Sequence, residues 1–191
     1  MRREEIRDGS AVDIRPIEPG DKDLLREAFQ RLSERSRYER FLSPIDRLGP
    51  GMLRYFTEVD HRDHEALIAI DSGTGHLVGV ARYVREKNPE VAEAAITVAD
   101  EWQGRGLGTL LLQCLAERAR DEDVKCFSAY VLAANDDMLD LLRRLGRVTV
   151  RGRYHGAVEI EAELPRAGVD DHLRELLRLA ARLTRLRSGD E

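Results

Sequence analysis

Apolar and polar residues alternate near the start of the chain and then recur with helical spacing. The alternation over residues 11–17 predicts a strand that stops at Pro16 and the Pro19-Gly20 turn. Apolar residues three and four positions apart then predict two helices, over residues 21–31 and 34–42. A helical turn over residues 52–57 follows. The N-terminal part of the chain therefore begins as strand, helix, helix.

After residue 60 the apolar residues group into short runs separated by turns. These runs predict strands over residues 66–70, 76–84 and 93–99. A strongly amphipathic helix over 106–121 and a strand over 126–131 come next, and the chain continues with a helix over 135–145 and strands over 149–153 and 158–164. The predicted order is β-α-α-β-β-β-α-β-α-β-β. It indicates a mixed α/β fold with antiparallel hairpins at both ends and one βαβ unit in the middle.

Composition limits the class of protein. The chain has 191 residues, of which 42% are hydrophobic and 35% charged, so we expect one domain with a short appendage. The net charge of −5 gives no reason to expect nucleic acid as a partner. Residues 1–10 are charged and lack the apolar core of a secretion signal, so they predict a loose tail. No segment has the length of a membrane span. These features favour a cytoplasmic protein.

The segment with the clearest chemistry is the turn Gln103-Gly104-Arg105-Gly106-Leu107-Gly108-Thr109, which lies between a predicted strand and a helix. Its glycines allow the backbone to approach a ligand closely, and the following helix offers unpaired N–H groups. Such a turn suits a phosphate. A P-loop would need a lysine that is absent, and a dinucleotide fingerprint would need glycine at Thr109.

The spacing Gln-x-x-Gly-x-Gly, at Gln103, Gly106 and Gly108, resembles the acyl-CoA pyrophosphate loop of the GNAT acetyltransferase superfamily. The predicted order of elements is similar to the GNAT fold over about residues 11–165. Within the superfamily, residues 32–41 and 91–108 resemble the acetyltransferase domain of bacterial protein-lysine acetyltransferases most. The resemblance implies a central, mostly antiparallel sheet with flanking helices. It also implies acetyl-CoA as cosubstrate and direct acetyl transfer to an amine in a ternary complex.

The resemblance further implies roles for individual residues. The backbone from Gln103 to Thr109 would hold the pyrophosphate, with Arg105 either adding charge to a phosphate or remaining a solvated turn residue. The backbone around Val98 would bind the pantetheine arm. Glu93 would be the general base that accepts the proton of the amine, unless it is a salt-bridged or exposed glutamate at a strand end. Asn135 would contact the CoA arm as well as cap a helix.

The sequence departs from the family pattern at one catalytic position. Many members carry a tyrosine seven residues after the asparagine, as the acid for the leaving thiolate, and here that residue is Leu142. Tyr130, Tyr154 and His155 are alternative acids, but packing or surface positions explain each of them better, so we assign none. The acceptor is also open. These residues agree with three alternatives. The acceptor is a protein lysine, or it is a small-molecule amine, or the protein is a regulatory module that binds acyl-CoA without catalysis.

Two remaining features have less specific interpretations. His61 and His64 flank Asp63 without a third ligand nearby, and the two cysteines lack metal-ligand spacing, so we predict no metal site. Residues 166–191 carry an apolar stripe beside a row of arginines. They predict a basic amphipathic helix that binds a partner or a second subunit, or packs on its own domain.

Overall fold

The computed structural model describes residues 1–154 and 156–165. In this part of the chain, eight strands form one sheet and five α-helices flank it. The strands are β1 (Arg2–Glu5), β2 (Ala11–Pro16), β3 (His64–Asp71), β4 (Leu77–Arg85), β5 (Val91–Val98), β6 (Cys126–Leu132), β7 (Val148–Tyr154) and β8 (Ala157–Glu163). The helices are α1 (Lys22–Arg31), α2 (Glu34–Phe41), α3 (Pro50–Thr57), α4 (Leu107–Asp121) and α5 (Asp136–Leu145). The predicted mixed fold and its order of elements are confirmed, with β1 and a full α3 added. His155 and the predicted helix over 166–191 lie outside the described residues.

The N-terminal residues are not the loose tail that their charge predicted. Arg2–Glu5 pairs antiparallel with β2, and Ile6, only 6% exposed, anchors the turn that follows. An edge strand with charged side chains shows no apolar alternation, because only one of its backbone edges is paired and its side chains remain largely in solvent. Pairing of backbone groups along β2 therefore orders a segment that the sequence pattern could not identify.

The sheet runs β1-β2-β3-β4-β5-β6-β8-β7, and its neighbours are antiparallel except for β5 and β6. Helices α4 and α5 pack on one face, where Leu107, Leu111 and Leu115 are fully buried. Helices α1 to α3 cover part of the other face through a second cluster that includes Phe29 and Leu53. Among the described residues, no helix is long and apolar enough to cross a lipid bilayer.

The parallel pair β5–β6 separates part-way along its length. Pairing covers Val91↔Cys126, Ala92↔Phe127 and Glu93↔Ser128, and then stops, although β5 continues to Val98. On its other edge β5 remains paired with β4 from Ala92 to Val98. The backbone of β5 beyond Glu93 is thus held in extended form while its β6-facing edge is open. This wedge is the feature of the fold that positions the candidate site.

Gly146 ends α5, as the sequence predicted, but for a different physical reason. Its φ of 177° is ordinary extended backbone, not the left-handed conformation of a typical C-terminal glycine. A Cβ atom at this position would lie 2.2 Å from the carbonyl oxygen of Glu163. Glycine is needed here because the end of α5 approaches the end of β8 too closely for any side chain.

Candidate active site

The wedge between β5 and β6 opens into a cleft of about 240 Å³. Glu93 lies where the two strands part, and α5 and the end of α2 form the remaining walls. Several residues singled out from the sequence line this one cleft, namely Glu93, Tyr130, Asn135 and Leu142. An open strand edge beside a cleft offers unpaired N–H and C=O groups to an extended ligand.

The glycine turn follows directly at the open end of β5. After a short 3-10 turn at Asp100–Trp102, Gly104 and Gly106 take positive φ values of 70° and 96°. L-residues with a Cβ rarely adopt this backbone, so the two glycines are what lets the chain reverse into α4. Helix α4 begins at Leu107, which is fully buried and fixes the helix against the sheet. The first turn of α4 therefore presents backbone N–H groups and the positive end of the helix dipole just beyond the end of β5. Val98 and residues 103–109 are not among the residues that line the cleft itself.

The side chain of Gln103 joins the glycine turn to β5 and α2. Its Nε2 donates to the carbonyl oxygen of Val98 at 3.1 Å and to Oγ of Ser36 at 3.2 Å. Val98 itself is half-buried against the core and pairs with Gly79 of β4. The predicted pantetheine-binding segment around Val98 is thus held in place from both sides.

A second link between the turn and α2 was not foreseen from the sequence. The carboxylate of Asp100 accepts hydrogen bonds from the backbone N–H and the hydroxyl of Ser33 and from the hydroxyl of Ser36. Burial alone would raise the pKa of Asp100, but these donors outweigh it and leave that pKa below its ordinary value. Ser33 also caps α2 through the N–H of Ser36. The Ser-x-x-Ser pattern at a helix start was the available signal, although it does not name Asp100 as a partner.

Arg105 is not a solvated turn residue. Its guanidinium donates to Asp8, to the hydroxyl of Ser10 and, at 3.2 Å, to the carbonyl of Glu101, and it lies 4.1 Å from the centre of the Trp102 ring. Three of its five N–H groups are therefore used within the protein. A phosphate contact would draw on the two that remain.

Glu93 is exposed and carries no hydrogen bond or ion pair to any described residue. Of the two non-catalytic alternatives, the salt-bridged glutamate is wrong for the described residues, whereas the exposed glutamate at this point of the strand is what the structure shows. Its role as a general base stays a prediction. Its side chain points to the sheet face that α1 to α3 cover, as do Ala95 and Thr97, since every second residue of a strand shares a face. A carboxylate in this position can take a proton from an amine that enters on that face, directly or through water.

Of the remaining candidate residues, some are held in the fold by hydrogen bonding or burial and others are exposed to solvent. The side chain of Asn135 accepts a hydrogen bond from the N–H of Met138 at 3.0 Å, so its capping role is present, and it lines the cleft as well. Leu142 is 2% exposed and packs in the core. Tyr130 is 47% exposed in the cleft, and its hydrogen bond to Glu159 raises the pKa of its hydroxyl. Tyr154 is exposed at the end of β7 and is not among the residues that line the cleft.

No group of three or more histidine, cysteine or acidic side chains is placed to hold a metal within residues 1–154 and 156–165. His61 and His64 diverge instead of converging. His61 Nδ1 lies 2.8 Å from the buried Glu65, and His64 Nε2 faces Arg82 at 3.3 Å.

Comparison with known proteins assigns the family. The sequence model of the acetyltransferase (GNAT) family matches residues 23–146, which include the cleft, the glycine turn and α4. The chain belongs to the GNAT family. It is 35% identical to the acetyltransferase Pat of Mycolicibacterium smegmatis over 162 residues. This aligned region is 84% of this chain and 48% of that protein. The chain thus spans about half the length of that relative.

Two further relatives show the range of GNAT proteins that this chain is similar to. The crystal structure of the GNAT domain of S. lividans PAT superposes with a TM-score of 0.79 at 31% identity, covering 85% of this chain and 96% of that one. An L-methionine sulfoximine/L-methionine sulfone acetyltransferase of Pseudomonas aeruginosa is 30% identical over 118 residues, which is 60% of this chain and 62% of that protein. The resemblance to GNAT proteins that the sequence predicted is confirmed.

Proposed function

We propose that this GNAT protein transfers the acetyl group of acetyl-CoA directly to a primary amine. The observation that carries the proposal is the continuous path from Glu93, along the open edge of β5, to the positive-φ glycines and the start of α4. The path has an edge for the pantetheine arm and an anion site for the pyrophosphate at its end. The backbone of Gln103 to Thr109 would hold the pyrophosphate, and Asn135 would contact the CoA arm from the opposite wall.

In the reaction, the amine attacks the thioester carbonyl, so that a C–N bond forms and the C–S bond breaks. A main-chain N–H near Val98 would stabilise the developing oxyanion. Glu93 would accept the proton of the amine, which is needed because a lysine amine has a pKa of about 10.4. Thiolate, with a thiol pKa of about 8.5, leaves without requiring the tyrosine that Leu142 replaces.

A protein lysine is the acceptor that we put first. Its support is the resemblance of residues 32–41 and 91–108 to protein-lysine acetyltransferases, and the openness of the cleft at Glu93. A small-molecule amine is the second candidate. Its specific support is a pair of arginines, Arg40 and Arg82, that line a smaller cavity next to the cleft. The similarity to an L-methionine sulfoximine/L-methionine sulfone acetyltransferase adds to it.

Calorimetric titration with acetyl-CoA and CoA tests the cofactor. We expect micromolar binding, about −8 kcal/mol, by the intact protein. Gly106→Glu should abolish it, because glutamate would strain a backbone with φ of 96° and put a negative charge at the pyrophosphate site. Gly51→Glu is the matched control, since nothing lies within 4 Å of a Cβ there. Absence of binding by the intact protein, or full binding by Gly106→Glu, would contradict the proposed function.

A further inference from the structure

Two arginines lie on the same sheet face as Glu93, beside the point where the acceptor amine would enter. Arg82 of β4 pairs with Ala95 of β5, and Val84 pairs with Glu93. Arg82 is therefore the diagonal neighbour of Glu93 on the adjacent strand, and such neighbours, about 7–8 Å apart, are within reach of long side chains. Arg40, near the end of α2, lines both the cleft that holds Glu93 and a smaller cavity of about 60 Å³ that Arg82 also lines.

Arg82 is buried and firmly oriented. It is 5% exposed, one terminal nitrogen donates to the carbonyl of Phe56 at 2.8 Å, and its guanidinium lies 4.3 Å from the centre of the Phe56 ring. The other terminal nitrogen faces Nε2 of His64 at 3.3 Å. Since a guanidinium only donates, His64 must be the acceptor and hence neutral. With two partners for five N–H groups, Arg82 retains donors for a ligand.

Among the described residues, the charge of this pair is balanced only in part, through the electrostatic effect of Glu93 on Arg40. Within the described residues, neither arginine forms an ion pair with a carboxylate, and no group accepts a hydrogen bond from Arg40. Burial, and then the positive charge of Arg40, lowers the pKa of Arg82 to about 9, so it remains charged at neutral pH. Burial also lowers the pKa of Arg40, against the opposing effect of Glu93. Burial and Arg82 lower the pKa of His64 to about 4, so His64 adds no charge.

Two acids line the cleft beside Arg40, namely Glu93 and Glu39. Glu39 is paired with Arg35, so the two guanidinium groups at the smaller cavity exceed the one unpaired carboxylate, Glu93. A buried cation without a counter-ion is costly, and a carboxylate is the group whose geometry a guanidinium matches best. We propose that Arg40 and Arg82 form a carboxylate subsite, which binds an acidic group of the acceptor beside the amine that Glu93 deprotonates. The proposal rests on the proposed function, and it narrows the acceptor to an amine that carries a neighbouring carboxylate.

The carboxylate that binds this subsite could come from two kinds of acceptor. In a free amino acid it is the α-carboxylate next to the α-amine. In a protein it is the side chain of an aspartate or glutamate close to the acetylated lysine. The spacing of Glu93 and Arg82 across one strand pair and the apolar lining of the shared cavity, which includes Phe41, Phe56 and Val80, suit a compact acceptor with an apolar part.

Steady-state kinetics with matched acceptors tests the subsite. One pair is leucine and 3-methylbutylamine, which differ only by the carboxylate. The other is a lysine peptide flanked by glutamates and the same peptide flanked by alanines. We expect the intact protein to favour the carboxylate member of at least one pair by about tenfold or more in kcat/KM. The pair that shows the preference identifies the source.

Arg40→Gln is the primary variant, because Arg82 also holds the end of α3. This variant should raise KM for the preferred acceptor by roughly 10- to 100-fold, and it should change KM for the matched acceptor without a carboxylate by less than about threefold. Binding of acetyl-CoA should be unchanged by calorimetry. Arg82→Lys, which keeps the charge but not the fork of donors, should show the same selective loss. Arg54→Gln, which removes an exposed cation of α3, should leave KM unchanged for both acceptors.

Three results would overturn the subsite. They are equal turnover of both members of each pair by the intact protein, an equal loss for both members in Arg40→Gln, and acetyl-CoA binding without turnover of any carboxylate-bearing acceptor. Failure to bind acetyl-CoA would instead contradict the proposed function itself.

Discussion

At the scale of single residues, Glu93 combines exposure with a fixed backbone. Its main chain is paired on both sides, to Val84 and to Ser128, at the last position before β5 and β6 part. Its carboxylate forms no hydrogen bond or ion pair with a described residue and interacts with Arg40 only at longer range. A carboxylate without a hydrogen bond or ion pair at such a position is available to a substrate, so its replacement should affect chemistry more than stability.

We therefore expect Glu93→Gln to lower kcat/KM for amine acetylation by about 10²- to 10⁴-fold, the usual contribution of a general base. The loss should shrink as pH rises toward the pKa of the amine, because more of the acceptor is then already deprotonated. Thermal stability and acetyl-CoA binding should stay close to those of the intact protein.

Glu86→Gln is the control for Glu93→Gln. Glu86 is a second carboxylate next to β6, but it is engaged by the hydroxyl of Ser128. Its variant should retain most of the activity. Undiminished turnover by Glu93→Gln, or a loss confined to Glu86→Gln, would assign the base to another group.

At the scale of elements, α2 is attached to the glycine turn by charge-assisted hydrogen bonds. Asp100, at the end of β5, accepts from Ser33 and Ser36 at the start of α2, and Gln103 adds a further bond to Ser36. Since Arg40 and Phe41 at the end of α2 line the cleft, this attachment links the glycine turn to one wall of the cleft.

Asp100→Asn should loosen α2 without unfolding the sheet, because a neutral amide accepts these bonds less strongly than a carboxylate. We expect faster amide hydrogen exchange over residues 33–41 and unchanged exchange in β3 and β4. The folded-state pKa of Asp100 lies below its ordinary value, so its contribution is complete above about pH 4 and is lost as pH falls below that. The variant and the intact protein should therefore differ at pH 7 and converge in strong acid.

Asp140→Asn on α5 is the control for this measurement, since Asp140 bonds only to the exposed Arg143. It should leave exchange in α2 unchanged. Equal exchange in the Asp100 variant and the intact protein at pH 7 would show that apolar packing alone holds α2.

In the molecule as a whole, the N-terminal segment between β1 and β2 contacts the glycine turn about 95 residues later in the chain. Asp8 and Ser10, which lie between β1 and β2, are bonded to Arg105, and the Arg7 Cβ atom lies 3.7 Å from where a Cβ of Gly106 would be. The hydrogen bond from Arg105 holds the pKa of Asp8 below its ordinary value. The edge of the sheet thus supports the glycine turn.

Arg105→Gln should release this edge. We expect a lower melting temperature and faster trypsin cleavage after Arg2, Arg3 and Arg7, because β1 loses its tether. Arg151→Gln, which removes the Arg151–Glu161 pair on the opposite side of the sheet, should not accelerate cleavage there. A fall in acetyl-CoA affinity with unchanged proteolysis would contradict the tether and support a contact between Arg105 and a phosphate.

The features that depend on neighbours along the chain could be predicted from the sequence. Strand alternation, amphipathic helices and the glycine spacing at Gln103 to Gly108 are local, so they predicted the order of elements and the anion site. Features that join distant segments became visible only in the tertiary structure. Charged β1 is ordered by β2, Arg105 is held by Asp8, and Arg82 meets Arg40 across the sheet, because each depends on pairing or burial between residues far apart. The parting of β5 from β6 belongs with these, since no local pattern records where two strands stop pairing.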